Sequence, residues 1–165
     1  MDTFQKYFLV IILFSLSCSS QNDEFLYKLQ DKVKRSIEIA KKNKQKYSTF
    51  KLSSITSFKW DKFYIFDEFT TEENINEITG LKWAGPDVPS GCKRILFISN
   101  NEVVSYSDFD PSVFPVFFYT CEATEQYVFD KKDDRIATFE ACDKNGCVLA
   151  IIPERCIDNF KRLYQ

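Results

Sequence analysis

The chain has 165 residues, 28% of them charged and 16% aromatic, with a formal net charge of −2 and no histidine. The missing imidazole excludes a Ser-His-Asp triad, a Cys-His nucleophile and every His-ligated metal site, HExxH zinc hydrolysis included. Only four glycines occur, in neither GxGxxG nor Walker-type spacing, so nucleotide binding has no support, and the acidic balance argues against nucleic acid as a partner.

The chain opens MDTFQKYFLVIILFSLSCSSQNDE. The apolar run from Tyr7 to Leu16 is too short to span a bilayer, which takes about 20 residues. Small residues and a polar continuation follow it, the pattern of a secretory signal. Cys18 stands where cleavage would fall, behind Ser15-Leu16-Ser17, and the arrangement resembles the lipidated cysteine of bacterial lipoproteins. Ser19-Ser20-Gln21-Asn22-Asp23-Glu24 resembles the polar, acidic tether of Bacteroidota envelope lipoproteins, and Ser19 is not the Asp of inner-membrane retention. The resemblance implies a signal peptide at 1–17, acyl chains of the palmitate class on Cys18, a tether at 18–23 and a lipid-anchored place in the cell envelope, at the outer membrane. Two acyl chains suffice for stable anchoring. Plain secretion with a cut near Ser17–Ser20, or an uncleaved anchor, are the alternatives.

Removing residues 1–17 leaves 148, the size of one domain, 24–165. From Glu24 the apolar positions Leu26, Leu29, Val33, Ile37 and Ala40 recur at helical spacing and predict an amphipathic helix to about Lys46. Asn22 or Asp23 can cap it. Leu29, Val33 and Ile37 should pack inward while Lys34, Lys41 and Lys42 face solvent. Residues 28–51 carry nine basic side chains and two acids, a charge of +7, so the rest of the mature chain carries −9. Such a run could touch anionic lipid or a polyanion; the simpler reading is a solvated helix face on an acidic body.

Residues 47–57 link or begin a strand, and Phe58–Phe66 reads as a strand bulged at Asp61-Lys62. Thr70 with Glu73 is a capping-box pattern for a second helix through Ile75, Ile78 and Leu81, with Gly80 placed to stop it. Lys82–Cys92 is a loop. Arg94–Ser99 and Glu102–Ser107 flank a tight Asn100-Asn101 turn. Val113–Glu122, Gln126–Asp130, Arg135–Cys142 and Cys147–Ile152 complete the strands, and Pro153 opens a short helix through Ile157, Phe160 and Leu163. Helices set beside a run of strands predict an α+β fold, the two helices packed on a mostly antiparallel sheet. The stretch Trp60-Asp61-Lys62-x-Tyr64-Ile65-Phe66, Thr70–Glu73 and Gly80-x-x-Trp83 also resembles small bacterial envelope lipoproteins, a likeness that implies no activity. Trp60, Tyr64 and Trp83 are expected as core aromatics around the second helix.

With Cys18 acylated, Cys92, Cys121, Cys142, Cys147 and Cys156 remain, an odd number that leaves at least one free or paired between chains. Cys142 and Cys147 flank the hairpin loop Asp143–Gly146 and should bridge across it. Cys121, Cys142, Cys147 and Cys156 as a four-sulfur zinc site have poor spacing, so no metal and no cofactor are expected. For carboxylate chemistry the pairs are Glu122 with Glu125 and Asp108 with Asp110. These features favour a lipid-anchored, non-enzymatic structural or interaction module. An inhibitor or immunity-type protein directed at an envelope enzyme or toxin is the alternative, and a carboxylate-dependent hydrolase the third.

Overall fold

The structure is a computed structural model, described here for residues 18, 21–121, 127–144 and 146–158. Two helices and eight strands follow in the order α1 (Asp23–Lys42), β1 (Ser48–Lys51), β2 (Lys62–Phe66), α2 (Glu72–Thr79), β3 (Lys93–Ser99), β4 (Glu102–Phe109), β5 (Val116–Phe118), β6 (Tyr127–Asp130), β7 (Arg135–Asp143) and β8 (Gly146–Pro153). The α+β expectation holds. The strands form two four-stranded sheets, β1-β7-β8-β5 and β4-β3-β2-β6, rather than one. The reason lies in β2 and β3, which are apolar on both faces. Phe63, Ile65, Ile95 and Phe97 point to the inter-sheet core, while Tyr64, Phe66, Leu96 and Ile98 point outward into a second cluster. A strand buried on both faces needs a cover on each side.

Helix α1 closes one side of this sandwich. It contacts β1 and β7 of one sheet and β4 of the other. Phe25, Leu29, Val33 and Ile37 enter the inter-sheet core, each worth about 1.5–3 kcal/mol when fully buried. Lys34, Lys41 and Lys42 are exposed, as the spacing requires. Asn22 caps the helix by accepting the Phe25 N–H at 3.0 Å. The helix stops at Lys42, four residues before the expected Lys46, because Asn43 ends it and Lys44 takes a left-handed φ of 54°. The loose 3.6-residue pattern includes Phe25, which the apolar stripe had omitted.

Other boundaries shift for local reasons. Only Lys62–Phe66 of the Phe58–Phe66 stretch is a strand; Trp60 instead packs into the inter-sheet core, away from α2. Thr71, not Thr70, caps α2, accepting the Asn74 N–H at 3.2 Å, while the Thr70 hydroxyl donates to Asp67 O at 2.7 Å. Gly80 ends α2 with φ 72°, as expected. Asn100 and Asn101 both have positive φ, 51° and 61°, the geometry of a tight hairpin turn matched to strand twist. Of Val113–Glu122 only Val116–Phe118 is a strand, and it runs parallel to β8, the one parallel pairing among the described strands. Asp143 pairs with Gly146, so the β7–β8 loop is two residues long. A short 3₁₀ turn, Glu154–Cys156, follows Pro153; Phe160 and Leu163 lie outside the described residues.

Candidate functional site

The densest polar constellation lies on the outer face of the β4-β3-β2-β6 sheet, under the loop between α2 and β3. The loop is anchored first at Trp83. Asn76 on α2 accepts its N–H at 2.8 Å and donates to its carbonyl at 3.0 Å. Gly85 then lies against the indole so closely that a Cβ there would meet Trp83 Cζ2 at 1.9 Å. Beneath sits Arg94 on β3, with Asp108 directly opposite on β4. Its Nε and Nη2 donate to the two carboxylate oxygens at 2.7 and 2.8 Å. Nη1 donates to Pro86 O, and Nη2 to Asp87 O at 3.2 Å. The guanidinium carbon lies 4.5 Å from the Tyr106 ring centroid and 5.4 Å from that of Trp83.

This arrangement satisfies the requirement that a buried charge be paired and hydrogen-bonded. Its planar fork holds carboxylate on one edge and two loop carbonyls on the other, a geometry that Lys cannot reproduce. The guanidinium therefore fixes the loop at Pro86-Asp87 over the sheet. Sequence reading passed over it because Arg94 opens an apolar strand and looks like an exposed end; the available signal was Asp108 two strand positions after Tyr106, on the face that Arg94 also shares.

The expected carboxylate pairs fare differently. Asp108 is committed to Arg94, whereas Asp110 is half-buried and accepts the Ser112 N–H at 2.7 Å. Hydrogen bonds from the Ser112 side chain and then its backbone hold the Asp110 carboxyl below the ordinary Asp range. The two acids thus have separate partners, Arg94 for Asp108 and Ser112 for Asp110. Glu122 and Glu125 lie outside the described residues.

All six cysteines are bridged: Cys18–Cys92, Cys121–Cys156 and Cys142–Cys147, with Cα separations of 5.9, 4.8 and 4.0 Å. The Cys142–Cys147 expectation is met. The odd count is corrected, because Cys18 joins the others and makes it even. The expected lipidation of Cys18 meets a chemical conflict: a sulfur bonded to Cys92 has no valence left for a thioether. Cys18 and Asn22 also make contacts with the folded body. Cys18 packs on the α2 cluster, Asn22 Nδ2 donates to Ser105 Oγ at 3.0 Å and Asn22 O accepts the Ser107 hydroxyl at 2.8 Å. The four-sulfur zinc arrangement is excluded in this form, since Cys121 and Cys156 bond each other and Cys142 bonds Cys147. Glu140, Cys142 and Cys147 bring a carboxylate oxygen and two sulfurs within 4.8 Å of one another, but the bridge leaves no thiolate there to ligate a metal.

The basic segment is partly neutralised where it lies. Lys28 pairs with Glu24 at 2.6 Å, Arg35 with Asp31 at 2.8 Å and Lys41 with Glu140 at 2.5 Å. Beyond the end of α1, an open groove of about 450 Å³ is lined by Gln45, Lys46, Tyr47, Ser48, Thr49 and Glu154. Its walls mix one cation, one anion and hydroxyls, with no apolar pocket of the kind that holds a small molecule. Among the described residues no helix is long and apolar enough to cross a membrane. No family model, curated protein or solved structure matches this chain.

Proposed function

We propose that the chain is an exported cell-envelope protein acting as a non-enzymatic structural or interaction module. The observation that carries this reading is the pairing of all six cysteines into three bridges within one fold. Structural disulfides persist in exported compartments and are rare where thiols are kept reduced. The apolar leader at residues 7–16 points the same way. The best-formed polar cluster, Arg94 with Asp108, directs its hydrogen bonds at the protein's own loop and not into a cleft. That suits a rigid display surface better than a reaction centre.

Anchorage through a thioether at Cys18 competes with the Cys18–Cys92 bridge for one sulfur, and the bridged form is the one proposed. The test is fractionation of cells making the full chain, Cys18→Ala or Cys92→Ser, with metabolic acyl labelling and intact mass of the mature protein. A bridged module carries no acyl label, and the two variants lose stability alike. Acyl label on Cys18 with Cys92 as a free thiol would overturn the bridged form and favour the lipid-anchored one. Affinity capture from solubilised envelopes separates the roles: recovery with an envelope assembly component supports a structural or interaction module. Stoichiometric capture of one hydrolase or toxin would replace that role with inhibition.

A further inference from the structure

The three bridges differ in what surrounds their sulfurs. Cys92 is 2% exposed and Cys156 is 0% exposed, each sealed in an apolar cluster. Cys142 and Cys147 are both exposed. Strand alternation puts them on the same side of the β7–β8 hairpin as the core residues Ile136 and Ile151, but at its tip, beyond the packed region. There the neighbouring side chain is Glu140, itself paired with Lys41 at the end of α1. The sequence separations differ as sharply: 5 for Cys142–Cys147 against 35 and 74 for the other two. Opening the hairpin bridge therefore releases the least chain entropy. It also uncovers no core, since only the pairs Cys142–Cys147 and Asp143–Gly146 lie at the tip past Val148. In the other two bridges one sulfur is buried and its partner, on Cys18 or Cys121, is half-buried against the same cluster, so a reductant reaches them less readily than the exposed pair.

We propose that Cys142–Cys147 is a thiol–disulfide exchange site for a dithiol reductant, while the other two bridges are structural. In the first step a reductant thiolate attacks one of the two exposed sulfurs. The Cys142–Cys147 bond breaks, a mixed disulfide forms, and the other cysteine leaves as a thiolate that takes up a proton. The second reductant thiol, as thiolate, then displaces the mixed disulfide. The products are two cysteine thiols on the hairpin and a disulfide in the reductant, a transfer of two electrons to the bridge. Access selects the bridge, because exchange needs in-line approach to a sulfur and exposed disulfides are the labile ones.

The experiment uses the full oxidised chain, graded dithiothreitol, acid quench, alkylation and peptide mapping, with circular dichroism recorded in parallel. Cys142 and Cys147 should be alkylated at least about ten-fold faster than the other four, with secondary and tertiary signals unchanged during that phase. The double variant Cys142→Ser, Cys147→Ser should stay folded and lose the fast phase. Alkylation of all six in one phase together with unfolding overturns the proposal, and so does earlier opening of Cys18–Cys92 or Cys121–Cys156. The readout is independent of any partner, so its failure leaves the envelope-module reading standing.

Discussion

Arg94 and Asp108 stand directly opposite across β3 and β4, joined by two charge-assisted hydrogen bonds of 2.7 and 2.8 Å, with 0% and 2% of their surfaces exposed. A pair this deep contributes little net Coulombic stability beyond its desolvation cost, yet removing one partner strands a buried charge. Asp108→Asn or Arg94→Met should each cost about 3–5 kcal/mol in urea denaturation. Replacing both with apolar residues of similar volume should cost less than either single change. A double variant as unstable as the sum of the singles would contradict this account. Arg94→Lys should also loosen the loop at Pro86-Asp87, seen as faster amide exchange there.

On α1, burial separates neighbours in the sequence. Val33 is 0% and Ile37 6% exposed, while Lys34 and Lys42 face solvent. Val33→Ala and Ile37→Ala should destabilise by about 1–4 kcal/mol, from lost transfer energy and residual cavity. Lys34→Ala and Lys42→Ala should stay within about 0.5 kcal/mol. Equal losses at Ile37 and Lys42 would mean that the helix does not dock as described.

Trp60 is 2% exposed, its ring lies 3.9 Å from Lys131 Nζ, and its Nε1 has no hydrogen-bond partner among the described residues. A buried donor without a partner costs about 1–3 kcal/mol. Trp60→Phe removes that donor and some volume together. It should therefore destabilise by less than about 2 kcal/mol, well under the about 3–5 kcal/mol expected for Trp60→Ala. Equilibrium unfolding of the two variants checks the difference.

Acid should weaken the turn that follows β4. The Asp110 carboxyl is held below its ordinary range by the Ser112 side chain and by the backbone N–H groups of Ser112 and Val113. A depressed folded pKa stabilises the fold above the unfolded Asp value of about 3.9, and the stabilisation is lost as pH falls through the folded value. Glu24 behaves in the same sense through its hydrogen bond with Lys28. Asp110→Asn should lower the urea midpoint at pH 7 and leave a shallower acid limb than the parent shows. Because this turn delivers Phe114, 1% exposed, into the core, near-ultraviolet circular dichroism should report the same change.

How much of this could be read beforehand follows the range of the forces. The face of α1 was legible because Leu29, Val33 and Ile37 repeat at the helical period, a purely local signal. The Asn100-Asn101 turn and the Cys142–Cys147 bridge were legible for the same reason, since a hairpin sets its own register. The division into two sheets was not. Ser48 pairs with Thr138 and Val116 runs parallel to Leu149, and nothing local to either strand names its partner. Arg94 escaped because one charged residue in an apolar strand looks alike whether it ends the strand or is buried with a mate. Cys18 was assigned to acylation from its leader alone, and Cys92, separated from it by 74 residues, could not contest that assignment from the sequence.

The way the strands divide between the sheets also sets an order of assembly as the chain emerges from its N-terminus. Strands β2, β3 and β4 are neighbours in both sequence and space, within residues 62–109, so this half-sheet has its own partners early. β1 has no mate until β7 appears, and β5 none until β8. Until then α1 has only the β4 side of its seat, and the aromatic inner face of β2 and β3 stays uncovered. Long-range pairing of this kind is slow and leaves apolar surface open meanwhile. A nascent intermediate ending before Arg135 is therefore the species that most needs a holdase, and truncations at that point should aggregate while the complete chain does not.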